Sequence, residues 1–296
     1  MLTDRQLARI TTTRARSPEK IAEAAEKRVR PNTPFDDDER DLIIAADHPA
    51  RGALRIGMNP MAMANRRDLL RRLCVALARP GVTGVLGTPD ILEDLLLLGA
   101  LNDRSVFGSM NRGGLAGAVF ELDDRFTSYD ARSIARSGFD GGKMLLRIDY
   151  SDERTEATIA ACARAVTDLA DEKLVAMVEP FVSHRIEGRL TNDLSVEAAT
   201  TAMSIASGLG NTSAYTWLKV PVIGDGGDVM AHVLSCTTLP TLLLGGEVTA
   251  NQDATFERWA RALRHPTVRG LVVGRSLLYP PDGDVAKAVD TAAGLL

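Results

Sequence analysis

The sequence predicts an α/β protein, a (β/α)8 TIM barrel with an N-terminal helical extension. Three observations point there. Eight short apolar runs alternate with longer stretches of helical period along most of the chain. Each run is followed by such a stretch, the order in which parallel strands are buried and helices wrap outside. No GxGxxG opens a helix after the first run, which disfavours the competing doubly wound open sheet.

The predicted strands are Leu42–Ala46, Gly84–Gly87, Ser105–Ser109, Gly142–Asp149, Leu174–Glu179, Tyr215–Val222, Thr241–Gly245 and Gly270–Gly274. Helical patterns cover Arg66–Ala78, Asp90–Leu101, Ala131–Ser137, Glu153–Asp171, Ser195–Gly208, Asp228–Thr237, Gln252–Arg264 and Asp284–Leu295. Residues 1–40 precede the first strand. There Ser17-Pro18-Glu19-Lys20 reads as a helix start with Ser17 as cap, Ile21–Arg28 as helix, and Asn32–Asp38 as a polar turn. This extension is expected to close the lower mouth of the barrel or to meet a partner subunit. No repeat or low-complexity linker appears, so residues 1–296 read as a single domain.

Composition narrows the function. The chain has 296 residues, 45% of them hydrophobic, and a formal net charge of −4. That size supports a substantial core. A mildly acidic balance argues against a general nucleic-acid surface. No apolar run approaches the roughly 18 residues of a membrane span, and the charged start lacks an apolar signal core, so a cytoplasmic location is expected. Cys74, Cys162 and Cys236 lie far apart and read as small apolar residues. His48, His184, His232 and His265 show no metal-ligand spacing, which disfavours a metal-dependent mechanism, and no metal is expected.

The chemistry concentrates at strand ends, where this fold gathers reactive groups. Lys219 lies within the apolar run Tyr215–Val222, and Lys143 within Gly142–Asp149. A lysine in such a run resists charging, which suits a neutral amine that attacks a carbonyl. With a side-chain period of two, Lys143, Leu145, Arg147 and Asp149 share one face, and Tyr215, Trp217 and Lys219 share another. If both faces point inward, the two amines meet and each lowers the other's pKa. The plainer alternative for Lys219 is an outward lysine lying between helices. Glu179 ends an apolar run and is positioned to shuttle protons, or to pair with Lys143. Asp47 is positioned to take a substrate hydroxyl proton, or to cap the turn at Pro49. Gly245-Gly246 and Gly274-Arg275 close the last two strands, where backbone N–H groups commonly hold phosphate.

These segments, Ala45-Ala46-Asp47-His48, Gly138–Tyr150, Val178-Glu179-Pro180, Leu218–Val222, Leu244-Gly245-Gly246 and Val273-Gly274-Arg275, resemble in order and spacing the class I (Schiff-base) aldolases. The resemblance is to the bacterial fructose-bisphosphate, tagatose-bisphosphate and deoxyribose-phosphate group, and more narrowly to an actinobacterial barrel associated with inositol catabolism. It implies that Lys219 forms the iminium, Lys143 is its partner, Glu179 is an acid/base and Asp47 handles the substrate hydroxyl. The strand-three segment Gly108–Gly114 and the continuation His48-Pro49-Ala50-Arg51 depart from that pattern. The expected activity is therefore cofactor-free carbon–carbon cleavage of a phosphorylated ketose or keto-sugar acid by a homo-oligomeric enzyme. Arg51, Arg112 and Arg147, with His48 nearby, favour an acidic aldehyde half. That would fit 6-phospho-5-dehydro-2-deoxygluconate, cleaved to dihydroxyacetone phosphate and malonate semialdehyde. The alternatives are a transaldolase-like enzyme or ketoacid synthase using the same lysine, a non-catalytic sugar-phosphate-binding barrel, and an isomerase using Glu179 and Asp47.

Overall fold

Each apolar run becomes a barrel strand because its two faces find different partners, helices on the outside and the other strands on the inside. The computed structural model describes residues 2–31, 40–111, 114–246, 248–249 and 251–296. Its strands are β1 (Asp41–Ala45), β2 (Gly84–Gly87), β3 (Ser105–Asn111), β4 (Gly141–Ile148), β5 (Val175–Ile186), β6 (Arg189–Asn192), β7 (Thr216–Val220), β8 (Thr241–Leu244) and β9 (Val268–Val273). Eight of them close in the order β1-β2-β3-β4-β5-β7-β8-β9 and back to β1, every pair parallel. This is the TIM barrel that the alternation of runs predicts.

Helices α1 (Asp4–Arg16) and α2 (Glu19–Glu26) precede the barrel. Around it stand α3 (Arg66–Leu77), α4 (Pro89–Leu97), α5 (Ala131–Arg136), α6 (Arg154–Asp171), α7 (Val196–Ser207), α8 (Asp228–Leu234), α9 (Gln252–Ala262), α10 (Arg275–Leu278) and α11 (Val285–Ala293). The large core lies between strands and helices, with Leu42, Ile44, Met144, Leu146, Ala176, Val178, Leu218 and Val220 facing outward into it. The alternate residues Ile43, Ala45, Leu86, Phe107, Val175, Met177, Leu242 and Val272, with Trp217 against them, fill the barrel interior. Gly141 makes room there, because a Cβ would lie 2.8 Å from the Phe107 ring.

The extension is anchored at two places. Thr3 and Gln6 form a capping box at the start of α1. Arg14 then pairs with Glu93 at 2.7 Å and Asp94 at 2.8 Å on α4. Beyond α2, Arg28 donates to the carbonyls of Arg104 and Gly138, and Arg30 to Asp140 at 2.9 Å. Those groups precede or begin β3 and β4, so the chain reaches the lower mouth there while its helices lie against the flank. Ser17 does not cap α2. It is the C-cap of α1, and Pro18 precedes α2 without a side-chain cap bond. The turn read at Asn32–Asp38 lies outside the described residues.

The β5–β6 hairpin has no counterpart in the predicted strands. Its turn is Glu187-Gly188, with φ of 50° and 78°, the left-handed pair that a two-residue hairpin turn needs. Among the described residues, no helix is long and apolar enough to cross a membrane.

Candidate functional site

The same alternation that fills the core carries charged groups inward one layer above Phe107 and Met177. On β4, Lys143 sits opposite Ser109 of β3 and Met177 of β5. On β5, Glu179 is level with Leu145. On β7, Lys219 lies opposite Leu242. Asp47 follows β1 at the same level. All four are buried, with between 4% and 9% of their surface exposed. Lys219 therefore faces the barrel axis, not the helices.

These four side chains form one continuous chain of ion pairs. Asp47 Oδ2 accepts from Lys143 Nζ at 3.0 Å. Lys143 Nζ also meets Glu179 Oε2 at 2.5 Å. Glu179 Oε1 accepts from Lys219 Nζ at 2.8 Å. Two cations and two anions thus alternate in a low-dielectric interior, where a group that loses its last partner becomes an uncompensated buried charge. Ser109 Oγ, fully buried, donates to the same Asp47 oxygen at 3.3 Å. Asp47 begins the short helical turn His48–Arg51 without a side-chain cap bond, because its carboxylate is committed to Lys143.

The two lysines differ in their surroundings, and their acidities separate. Burial pushes Lys143 down, but Asp47 and Glu179 together outweigh it and its pKa rises above the ordinary value. Burial is also the largest influence on Lys219; Glu179 opposes it, the charge of Lys143 adds to it, and the pKa falls. The expectation that each amine lowers the other's pKa is thus corrected for Lys143, which pairs directly with two carboxylates where, among the described residues, Lys219 pairs directly with one. Burial favours protonation of Glu179, yet Lys143 and Lys219 overcome it and hold its pKa at about 2. Asp47 is driven far below the usual carboxylate range, burial being outweighed first by Lys143 and then by His48.

Further charges ring this layer. His48 Nδ1 lies 3.7 Å from Asp47. Burial depresses the His48 imidazole to about 3, against the pull of Asp47 and with added repulsion from Arg275, Lys219 and Arg51, so it is neutral at physiological pH. Arg275 and Arg51 are therefore near neighbours of the site. Gly245 packs against Val273, where a Cβ would lie 2.6 Å from Cγ1, and Gly246 has φ +69° and open space beside it. Gly274 abuts β1, with a Cβ position 2.3 Å from the Ala45 carbonyl oxygen. The Ser276 hydroxyl reaches the Gly245 carbonyl at 3.5 Å, drawing Gly245-Gly246 and Gly274-Arg275 side by side.

Arg147 faces inward but is already engaged. Its Nε donates to Asp124 Oδ2 at 2.9 Å, its Nη2 to Asp124 Oδ1 at 2.5 Å and to the Glu121 carbonyl, and its Nη1 lies 3.5 Å from the Glu121 carboxylate. The guanidinium thus holds the β3–α5 loop across the mouth. Asn111 braces the same place: its side chain exchanges two hydrogen bonds with Leu145 and donates to the Asp124 carbonyl. No pattern along the chain marks Asp124, Glu121 or Ser109, since each meets its partner only through the fold. Asp124→Ala is expected to cost about 3–5 kcal/mol of stability, because it leaves a buried guanidinium short of its main counter-ion. Urea unfolding checks this. Arg112 lies outside the described residues, as does Glu247.

Solved structures resemble this barrel at two levels. Cgl0159 from Corynebacterium glutamicum is 51% identical, with a TM-score of 0.95 over 100% of this chain and 98% of that one. An archaeal fructose-1,6-bisphosphate aldolase, solved with its catalytic Lys covalently bound to the carbinolamine intermediate, is 17% identical. It aligns with a TM-score of 0.66 over 93% of this chain and 98% of that one. The fructose-bisphosphate aldolase of Slackia heliotrinireducens is 12% identical, with a TM-score of 0.63 over 86% of each chain. At those identities the likeness to the aldolases is one of fold. Among curated proteins none matches the chain. Residues 39–293 match the Cgl0159-like family model. With that match over most of its length, the chain belongs to the Cgl0159-like family.

Proposed function

We propose that this barrel is a class I aldolase that cleaves a phosphorylated ketose or keto-sugar acid through a Schiff base on Lys219. One observation carries the reading: of two lysines bridged by Glu179 inside the barrel, Lys219 has the lowered pKa and, among the described residues, a single paired carboxylate. A less basic amine in a closed interior reaches its neutral, nucleophilic form at lower pH. The shared fold with Schiff-base aldolases agrees with it.

In the cleavage direction, neutral Lys219 adds to the substrate ketone and loss of water leaves the iminium. Lys143, kept cationic by Asp47 and Glu179, keeps both carboxylates ionised and ready to act as bases. Glu179, bonded to Lys219 Nζ, takes the proton released as nitrogen adds to carbon and passes it to the carbinolamine hydroxyl, which has gained its own proton from solvent and departs as water. Asp47 takes the hydroxyl proton, the C–C bond breaks, and its electrons flow into the iminium to give an enamine and a free aldehyde. Protonation of the enamine carbon and addition of water return Lys219 and release dihydroxyacetone phosphate. Gly245, Gly246, Gly274 and Arg275 would hold the phosphate, and Arg51 and Arg112, with neutral His48 as a hydrogen-bonding group, an acidic aldehyde half. Arg147 positions the loop instead. 6-Phospho-5-dehydro-2-deoxygluconate, giving malonate semialdehyde, suits that arrangement.

A panel of phosphorylated ketoses and keto-sugar acids, with release of dihydroxyacetone phosphate followed by coupled NADH oxidation, tests the reading. Release that persists in EDTA and needs no acceptor aldehyde is expected. Release only with an acceptor would make the protein a transferase. Thermal stabilisation by the panel without any C–C cleavage would leave only a binding barrel.

A further inference from the structure

We propose that this chain forms a two-fold dimer by pairing the free edge of β6 with the same edge of a second copy, centred on Thr191. The inference goes beyond the aldolase reading and does not depend on it. Among the described residues, β6 pairs with β5 alone and ends the sheet. Its register opposes Ser183 with Asn192, His184 with Thr191, Arg185 with Leu190 and Ile186 with Arg189. Asp193 N donates to Val182 O at 2.9 Å, which sets the phase of the ladder. In an antiparallel ladder, hydrogen-bonded and non-bonded pairs alternate. The N–H and C=O of Arg189 and Thr191 therefore turn toward β5, and those of Leu190 and Asn192 turn outward.

An exposed edge of this kind is a template for another strand. A two-fold axis through Thr191 is the register that uses it fully. It places Leu190 opposite Asn192 of the second copy, and the reverse, so the outward backbone groups of both meet in two bonded rings. It also places Arg189 opposite Asp193 of the second copy, twice. Arg189 is exposed and Asp193 partly so, and opposite charges facing each other across strands favour pairing. Asp193 accepts from Ser195 N at 2.8 Å and has the His184 ring of β5 3.6 Å away, and Arg189 of the second copy would add a cation on its other side. Leu194, 54% exposed, follows the edge and gains cover in the dimer. Because β5 runs from Glu179 into this hairpin, the interface would brace the strand that carries the bridging carboxylate.

The axis makes a sharp geometric demand. Thr191 faces itself as a non-bonded pair, at a Cα separation of about 4.5 Å, within disulfide reach. Thr191→Cys should therefore form a reducible covalent dimer under mild oxidation, whereas wild type and Leu190→Cys should not. In sedimentation equilibrium, wild type should run as at least a dimer. Arg189→Asp, which opposes two carboxylates, should raise the dimer dissociation constant by about tenfold or more, with circular dichroism unchanged. A monomeric wild type would overturn the proposal. So would an assembly that resists Arg189→Asp while Thr191→Cys fails to cross-link.

Discussion

Lys219→Met is expected to lower turnover by about 10⁴-fold or more, the scale on which removing a covalent nucleophile acts. The same change should leave thermal stability equal or higher. Lys219 Nζ is a desolvated ammonium whose protonation the interior opposes, and methionine fills similar space without that charge. Glu179 is not stranded, because Lys143 Nζ still meets its other oxygen at 2.5 Å. Lys143→Met should differ. It removes the cation shared by Asp47 and Glu179 and raises the pKa of Lys219 by deleting a repelling charge. Activity would then fall at neutral pH and recover in part as pH rises. Release of dihydroxyacetone phosphate against pH, alongside differential scanning calorimetry, separates the two variants.

Glu179→Leu is expected to be the most destabilising change in the site, by about 3–5 kcal/mol, because it removes the carboxylate bonded to buried Lys219 and, among the described residues, leaves it no other. The sign of its pH dependence follows from the charges. Without Glu179, the pKa of Lys219 drops further, so the destabilisation should be largest between the ordinary carboxylate range and the pH at which Lys219 loses its proton, and should shrink on either side. In wild type, Glu179 and Asp47 have pKa values below those of the unfolded chain. Their contribution is present above the ordinary carboxylate value near 4. It is lost as pH falls through the folded value, about 2 for Glu179. Urea unfolding of wild type and Glu179→Leu at several pH values reads both trends.

The barrel was legible because its strands keep apolar residues on the helix-facing side, so Lys143, Glu179 and Lys219 stand out on the other. Period two placed each lysine on one face of its strand and left an outward Lys219 open; both lie inside, bridged by Glu179. The hairpin was not legible: Ser183–Asn192 has no apolar alternation, and its Glu187-Gly188 turn adopts left-handed backbone at a residue pair with little advance signal. The engagement of Arg147 was hidden for another reason. Its partners Glu121 and Asp124 belong to a loop 23 to 26 positions away, joined to it only by the fold. The different acidities of the two lysines were likewise out of reach, since they depend on Asp47 leaning to Lys143 and not to Lys219.

Reductive trapping tests the nucleophile assignment most directly. Wild type would be incubated with dihydroxyacetone phosphate, reduced with borohydride and mapped by peptide mass spectrometry. A single adduct on Lys219, absent from Lys219→Met, is expected. An adduct on Lys143, or none under conditions that support cleavage, would contradict the assignment of Lys219 as the reacting amine.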